Sequence, residues 1–470
     1  MIAMKFGGTS VGTPDNLLAA CALVRDQAAR GPLVVVSAAN HPDCRTTDTL
    51  ADAARQALGW RASRSGGPPG AGGLEREARL LAARQAARVA GPQRALARDL
   101  GVEAPETDLL LADFETLLVG IAMLGELSAR TLDLAMSFGE RMSAPLVAAV
   151  LREKFGMDAR CRVSWELGLA TDDQFGAARP LPGREDEIRR RVAETGGEVV
   201  VTTGFLGATP DGRVTTLGRG GSDYSAALFG AALGADEIQI WTDVPGVMTT
   251  DPRVEPRART VPALSFREAS ELAWFGAKVL HPATMAPAID RGIPIRVCCT
   301  ADPRGPSTTV GAGVAGEAGR PKAVAFRDGV DLCSVWTGRM VGVSGFAAKV
   351  FEVFGRHGVD VQMIATSEAS ISVSAAGGPA FRAAAADLRP LGAVETREGM
   401  ALVCVVGERM AGAPGVARRA TGALAGAGVN IVMISQDAGE INMSFLVEGR
   451  DRDAAVRALH AEFFGPGAPA

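Results

Sequence analysis

TTLGRGGSDYSAA, residues 215–227, sets three glycines and an arginine in front of an aspartate and an alanine-rich run. Glycines before a helix let a ligand approach the backbone, and the positive helix end favours an anion. Gly218, Gly220 and Gly221 keep side chains out of that approach, and Ser222 is expected as the N-cap of the following helix. Arg219, expected to be buried among the glycines, offers a planar fork for a carboxylate or phosphate. Asp223, one residue into the helix, suits a lysine or a metal-bound water. A first-turn Asp also favours the helix dipole with no ligand at all.

Working outward, residues 1 to about 300 alternate short β-branched runs with longer Ala/Leu-rich stretches. The runs 32–39, 198–205, 237–243 and 293–299 are expected to be buried strands, and 74–100 and 139–156 helices. Such alternation predicts an α/β fold, a mostly parallel sheet sandwiched by helices. The Gly/Pro-rich segment 63–73 is expected to be a loop, and 302–328 a linker that ends a catalytic domain at residues 1–301.

The last 140 residues repeat. GFAAKVFEVFGRHGVDVQMIATSEASISVS from Gly345 returns as GVARRATGALAGAGVNIVMISQDAGEINMSF from Gly415, a constant offset of 70 residues. Gly358 answers Gly428, Met363 answers Met433, and Ile371 answers Ile441. Each copy is expected to form a ferredoxin-like α+β unit, at 329–397 and 398–470, and two copies are too few for a solenoid. An α/β domain followed by paired small modules predicts an enzyme with a regulatory tail.

Composition narrows the class. The 470 residues carry a net charge of −4, so no basic surplus points to nucleic acid. No membrane-spanning apolar run is expected, and MIAMKFGG lacks the layout of a signal peptide. Seven scattered cysteines predict free thiols and a cytoplasmic location, and four separated histidines argue against a zinc cluster. Of 49 basic residues only Lys5, Lys154, Lys278, Lys322 and Lys349 are lysines, so a lysine kept inside a glycine motif is informative.

Lys5 is one. In KFGGTSVGTPDNL (5–17), Gly7 and Gly12 have Walker A spacing, but Thr13 stands where that motif needs lysine. Residues 218–223 fail the dinucleotide fingerprint because Asp223 replaces its last glycine. What remains is a strand ending at Lys5-Phe6 and a turn at Gly7-Gly8 whose N–H groups face one site. Thr9 and Ser10 add hydroxyls before a helix that starts near Pro14. That is a phosphate cradle with an ammonium beside it, or an ordinary strand–turn–helix corner.

KFGGTS, SFGER, TTLGRGGSD, WTDVPG…TTDPR and FGAKVLHPAT, in this order before paired repeats, resemble aspartokinases of the amino-acid kinase family. The likeness covers essentially the whole chain and is closest to the monofunctional, lysine-sensitive class with two ACT domains. It implies Mg²⁺-dependent transfer of the ATP γ-phosphoryl group to the side-chain carboxylate of L-aspartate, which opens lysine, threonine and methionine synthesis through diaminopimelate. A carboxylate nucleophile is already ionised at neutral pH, so no general base is needed, in keeping with the absence of a catalytic histidine from these motifs.

The resemblance assigns Lys5, Asp223 and Arg219 to catalysis, with Lys5 on the transferring phosphoryl group. Aspartate falls to Thr47 (or Thr46), Glu140, Arg219 and Ser222, with Glu140 on its ammonium. The nucleotide falls to Lys5, Phe6, Gly7, Gly8, Thr242, Asp243, Met248, Arg253, Lys278 and Val279. An amino-acid effector falls to Met340, Val343, Gly345, Phe346, Ala347, Val361, Gln362, Ser367 and Glu368. ACT pairing implies a homodimer or homotetramer.

Three departures stand out. Met248 replaces a tyrosine common in the family. The 37–50 loop, SAANHPDCRTTDTL, is longer and lacks a family glycine. Val343 and Gln362 replace a serine and an aspartate of lysine-sensitive relatives, which predicts weakened, lost or re-targeted lysine inhibition. Two other readings fit parts of the pattern: a kinase of a related carboxylate or carbamate, and a catalytically weak amino-acid sensor. Lys5, Glu140, Arg219 and Asp223 together favour the kinase, since a sensor needs none of them.

Overall fold

A computed structural model describes residues 1–63, 71–276, 280, 282–312, 319–337, 345–410, 412–436 and 441–466. The chain divides into two compact units. One comprises Met1–Gly246 and Val279–Ala312, the other Val247–Lys278 and Gly313–Ala470. Residues 247–276, expected in the catalytic domain, pack in the same compact unit as the repeats.

The first unit is built on seven strands: β1 (Ile2–Phe6), β2 (Pro32–Val36), β3 (Ala159–Arg162), β4 (Val199–Thr203), β7 (Glu237–Thr242), β8 (Ile295–Cys299) and β9 (Thr308–Val310), with a small β5–β6 hairpin (Leu206–Ala208, Val214–Thr216) beside them. They lie in the order β9-β8-β7-β1-β2-β4-β3, all parallel except β9. β1 and β2 are buried along their whole length, which is why they read as unbroken apolar runs. β9 falls inside the expected linker. Its residues pair with β8 because Thr308 and Val310 are buried there.

Helices α1 (Pro14–Asp26), α2 (Thr46–Ala62), α3 (Ala71–Leu100), α4 (Pro105–Leu124), α5 (Ala129–Phe155), α6 (Glu185–Ala193), α7 (Gly221–Leu233) and α9 (Pro282–Arg291) complete this unit. Residues 71–73 open α3, while 64–70 of the expected loop lie outside the described residues. α5 starts ten residues before the expected boundary. Ser128 caps it by accepting from the Thr131 N–H, and Gly156 ends it at φ 64°. It corrects the expectation of no apolar run of membrane-spanning length: α5 is long and apolar enough, but 78% of that window is buried inside the protein. It packs between β2 and β4 on one side and α1, α2 and α4 on the other.

The second unit has six antiparallel strands: β10 (Ala323–Trp336), β11 (Val361–Thr366), β12 (Ser370–Ala376), β13 (Ala393–Val406), β14 (Met433–Gln436) and β15 (Asn442–Glu448), ordered β11-β12-β10-β13-β15-β14. Its helices are α8 (Phe266–Trp274), α10 (Phe346–Arg356), α11 (Pro379–Asp387), α12 (Val416–Gly426) and α13 (Arg452–Phe464). The repeat is legible in the backbone: Gly345 and Gly415 start α10 and α12 at φ 86° and 92°, and Gly358 and Gly428 follow them at 64° and 71°. The two copies do not close separately. β10 and β13 are 14-residue strands with a register break near Val330. Residues 323–327 pair with 402–406, and Val324 packs in the core of the second repeat. The second repeat thus takes its last strand from residues ahead of the first, within the stretch expected to be linker.

Candidate active site

Register brings the sequence motifs to one edge. Phe6 pairs with Val36 and with Trp241, and Val36 pairs with Thr203, so these four residues form a row across four parallel strands. The residues that follow them, Gly7, Ser37, Gly204 and Thr242, lie at the carboxyl ends of the strands, where open α/β sheets bind ligands. Backbone bonds fix the row: Gly7 N–H to Trp241 O (3.0 Å), Ser37 N–H to Phe6 O (3.1 Å) and Gly204 N–H to Val36 O (2.8 Å).

At this edge the Lys5 ammonium lies 2.7 Å from Asp223 Oδ1, their side chains only 10% and 17% exposed. Asp223 is the third residue of α7, whose N-cap is Gly220 at φ 70° rather than Ser222. Ser222 is the second helical residue, packed where a Cβ on Gly204 would meet it at 2.7 Å. The expectation of a buried Arg219 is also corrected. Its side chain is exposed and makes no ion pair among the described residues, so its fork is free.

The glycine turn needs a further correction. Gly7 gives its N–H to Trp241, so the N–H groups open to a ligand are those of Gly8 and Thr9, at the start of a 3-10 turn. Phe6 is in the core, stacked on Trp241 with ring centroids 6.2 Å apart. A Cβ on Gly7 would have only ordinary contacts, the nearest at 3.5 Å. On Gly8 it would sit 2.5 Å from the Ala38 carbonyl oxygen. Gly8→Ala is therefore expected to lower the urea midpoint by the equivalent of about 1–3 kcal/mol and to cut activity, while Gly7→Ala stays near wild type in stability. Equal stability of the two variants would remove this distinction.

Residues 38–39 are the hub of the site. Glu140 lies mid-way along α5, not in a first turn, and is 3% exposed. Its Oε1 accepts from the Ala38 N–H at 3.0 Å, and its Oε2 is buried with no partner. Burial pushes its carboxyl up to about 8. A buried, half-satisfied carboxylate is poised for a cation. Ser143, one turn on, accepts from the Ala39 N–H at 2.8 Å. A Cβ on Gly139 would come within 2.7 Å of the Ala38 side chain. The altered loop is thus held by α5. Thr46 is wholly buried and donates its hydroxyl to the Ala39 carbonyl, whereas Thr47 is half-exposed, which favours Thr47 of the two threonines for a ligand.

Asp133, which no motif announced, ties the same helix to the arginine loop. It is 1% exposed, and burial raises its pKa. Oδ2 accepts from the N–H groups of Gly176 and Thr216, both at 2.9 Å, and Oδ1 accepts from the Thr216 hydroxyl at 2.9 Å. Thr216 ends β6, three residues before Arg219. Asp133→Ala leaves buried N–H groups unpaired and is expected to cost about 2–4 kcal/mol in chemical denaturation, with a higher KM for the bound carboxylate. A loss under about 0.5 kcal/mol would show the network to be dispensable.

Asp243 is exposed, and its Oδ1 accepts from the Thr242 hydroxyl at 3.2 Å. Met248 and Arg253 belong to the second unit, where the Met248 sulfur accepts from the Thr260 hydroxyl and the Arg253 fork is closed on Asp251. Lys278 and Val279 lie outside the described residues, as do Met340 and Val343 of the expected effector set. Of the remainder, Gly345, Ala347, Ser367 and Glu368 are exposed and Phe346 and Val361 half-buried. Gln362 sits at a bulge of β11 with its amide oxygen buried and unpartnered.

The first 299 residues match the amino acid kinase family, and 334–383 with 403–463 match an ACT domain. Aspartokinase 1, chloroplastic, of Arabidopsis thaliana is 34% identical over 99% of this chain and 80% of its own length. Lysine-sensitive aspartokinase 3 of Escherichia coli is 36% identical over 76% of this chain and 82% of its own. The crystal structure of E. coli aspartokinase III with aspartate and ADP superposes with a TM-score of 0.77, at 33% identity over 98% of this chain and 99% of that one. The same enzyme with lysine and aspartate gives 0.73, at 34% identity over 99% of both chains. The chain belongs to the amino acid kinase family and, within it, to the aspartokinases.

Proposed function

We propose that the chain transfers the γ-phosphoryl group of ATP to the side-chain carboxylate of L-aspartate, giving 4-phospho-L-aspartate and ADP. The observation that carries this reading is Glu140. It is a buried carboxylate with a free oxygen, on the helix whose Asp133 holds the strand leading to Arg219. A ligand with an ammonium for Glu140 and a carboxylate for Arg219 is an amino acid, and its second carboxylate is the acceptor. Thr47 and Ser222 add hydroxyls to its binding.

Lys5 offsets the charge of the transferring phosphoryl group, and the N–H groups of Gly8 and Thr9 cradle it. Asp223 holds the Lys5 ammonium in place. Thr242 and Asp243 are assigned to the nucleotide, together with Met248, Arg253, Lys278 and Val279. Among the described residues no three His, Cys, Asp or Glu side chains cluster as a metal site. That suits Mg²⁺ carried largely by nucleotide phosphates, with Asp223 reaching its water shell. When bound, the ion neutralises phosphate charge.

The paired ACT repeats make the enzyme an amino-acid-regulated one, and it is expected to act in the cytoplasm at the head of lysine, threonine and methionine synthesis. Ile364 and Ile434, equivalent residues of the two repeats on edge strands β11 and β14, are 45% and 49% exposed. They suit pairing with a second copy. Gln362 can accept a hydrogen bond from an effector ammonium but cannot offset its charge, so lysine is expected to bind weakly.

The test is hydroxylamine trapping of the acyl phosphate with Mg-ATP and aspartate, glutamate or no acid, each with and without lysine or threonine. Product with aspartate alone is expected. Product only with another acid, or ATP binding without turnover, would overturn the reading.

A further inference from the structure

The turn at 247–261 is fastened to α13 by two side-chain bonds: Arg457 Nη1 donates to the Val254 carbonyl at 3.5 Å, and His460 meets Thr249. Thr249, next to Met248, forms a short ladder with Arg259: its N–H donates to the Arg259 carbonyl at 2.8 Å, and its Oγ1 accepts from the Arg259 N–H at 3.0 Å. On the other side, Thr249 Oγ1 meets His460 Nε2 of α13 at 2.9 Å. The hydroxyl oxygen already accepts from Arg259, which leaves its proton for the ring. His460 is 2% exposed, beside the Phe464 ring at 5.1 Å, and its Nδ1 has no partner among the described residues. Burial lowers its pKa, so the ring is neutral at neutral pH.

Two more ties bind the same turn to the repeats. The Val324 N–H donates to the Thr249 carbonyl at 2.7 Å, and Val254 packs against the core formed by Val456, Leu459 and Phe463. A segment that carries two nucleotide-assigned residues, Met248 and Arg253, is therefore held by the regulatory unit.

We propose that His460 is a positioning residue for ATP: by holding Thr249 it sets the conformation of the turn that presents Met248 and Arg253. The proposal rests on the assignment of those two residues to the nucleotide. It differs from a purely structural role, because a buried apolar residue would fill α13's core as well as histidine does. Histidine costs desolvation, and its one polar contact is the turn.

The test uses the full-length enzyme and compares KM for Mg-ATP with KM for aspartate. His460→Leu is expected to raise the Mg-ATP KM about five- to tenfold and to leave the aspartate KM within about twofold, a loss of one buried hydrogen bond. His460→Gln, whose amide reaches the place of Nε2, is expected to restore the Mg-ATP KM. Thr249→Val removes the His460 bond and also the oxygen that accepts from the Arg259 N–H, so adding it to His460→Leu is expected to raise the Mg-ATP KM by less than Thr249→Val does alone. If His460→Leu does not fold, Thr249→Val alone is expected to raise the Mg-ATP KM at least as much, since it loses the Arg259 bond as well, with the aspartate KM again within about twofold. An unchanged Mg-ATP KM, an equal rise in both KM values, or failure of glutamine to rescue would overturn the proposal. Unchanged Mg-ATP KM in both Met248→Ala and Arg253→Ala would instead overturn the nucleotide assignment beneath it.

Discussion

Lys5→Met lowers kcat by about a thousandfold and leaves the KM for aspartate within about threefold, because the charge it removes matters in the transition state more than in substrate binding. Offsetting the transferring phosphoryl group in a site with little water is worth about 4 kcal/mol, which is that factor in rate. Arginine is not expected to substitute, since the space beside Asp223 is almost closed and shaped for a point charge. The variant also strands the Asp223 carboxylate, so it loses about 1–3 kcal/mol of stability. Adding Asp223→Asn recovers that stability without recovering rate. Steady-state ADP release and urea denaturation on the three proteins separate the two effects. Activity of Lys5→Met within tenfold of wild type would sink the role given to this lysine.

Glu140→Gln raises the KM for aspartate about a hundredfold and abolishes its pH dependence. In the free enzyme the carboxyl titrates at about 8, held up by burial. Only the ionised form attracts an ammonium, so kcat/KM for aspartate rises with pH towards about 8 and then levels. The glutamine variant, with nothing to ionise there, is flat over the same range. Stability runs the other way. The folded pKa lies above the ordinary 4.5, so the folded protein holds this proton more tightly than the unfolded chain does. The resulting stability is complete below about 4.5 and is lost as pH rises through about 8. Glutamine is therefore expected to raise Tm at pH 9 and to change little at pH 5. A pH-independent wild-type kcat/KM, or a glutamine variant less stable at pH 9, would contradict this account.

The sequence makes the parallel sheet legible because its strands are buried on both faces and need no alternation; the four expected strands begin and end within three residues of those observed. The repeat is equally plain, since glycines forced into positive φ recur at the same offset. Harder to see is everything set by distant packing. The glycine of Gly8 answers to a carbonyl thirty residues away, and only the folded chain shows that Ala38 is there. Asp133 lies in no glycine motif, because its partners come from residues 176 and 216. Propensity favours Ser222 as the N-cap, but a left-handed Gly220 brings the chain into α7 without a capping side chain. The division at 247–276 escapes for the same reason: its ties to residues 322, 324, 408 and 460 are invisible along the chain.

Duplicated modules are ordinarily dispensable one at a time, since each copy brings its own complete sheet. Here residues 323–327 close the second copy while the chain from Val330 opens the first. Cutting the protein after residue 397 would strip those five residues of their partners. Excising residues 329–397 would instead leave them next to the strand they complete, with residues 328 and 398–401 as the turn. Only the first cut bares a β edge at 323–327, one that invites aggregation. The dependence of the two copies on each other is therefore one-sided: the earlier residues need the later copy, and a cut from the carboxyl end damages what it leaves behind.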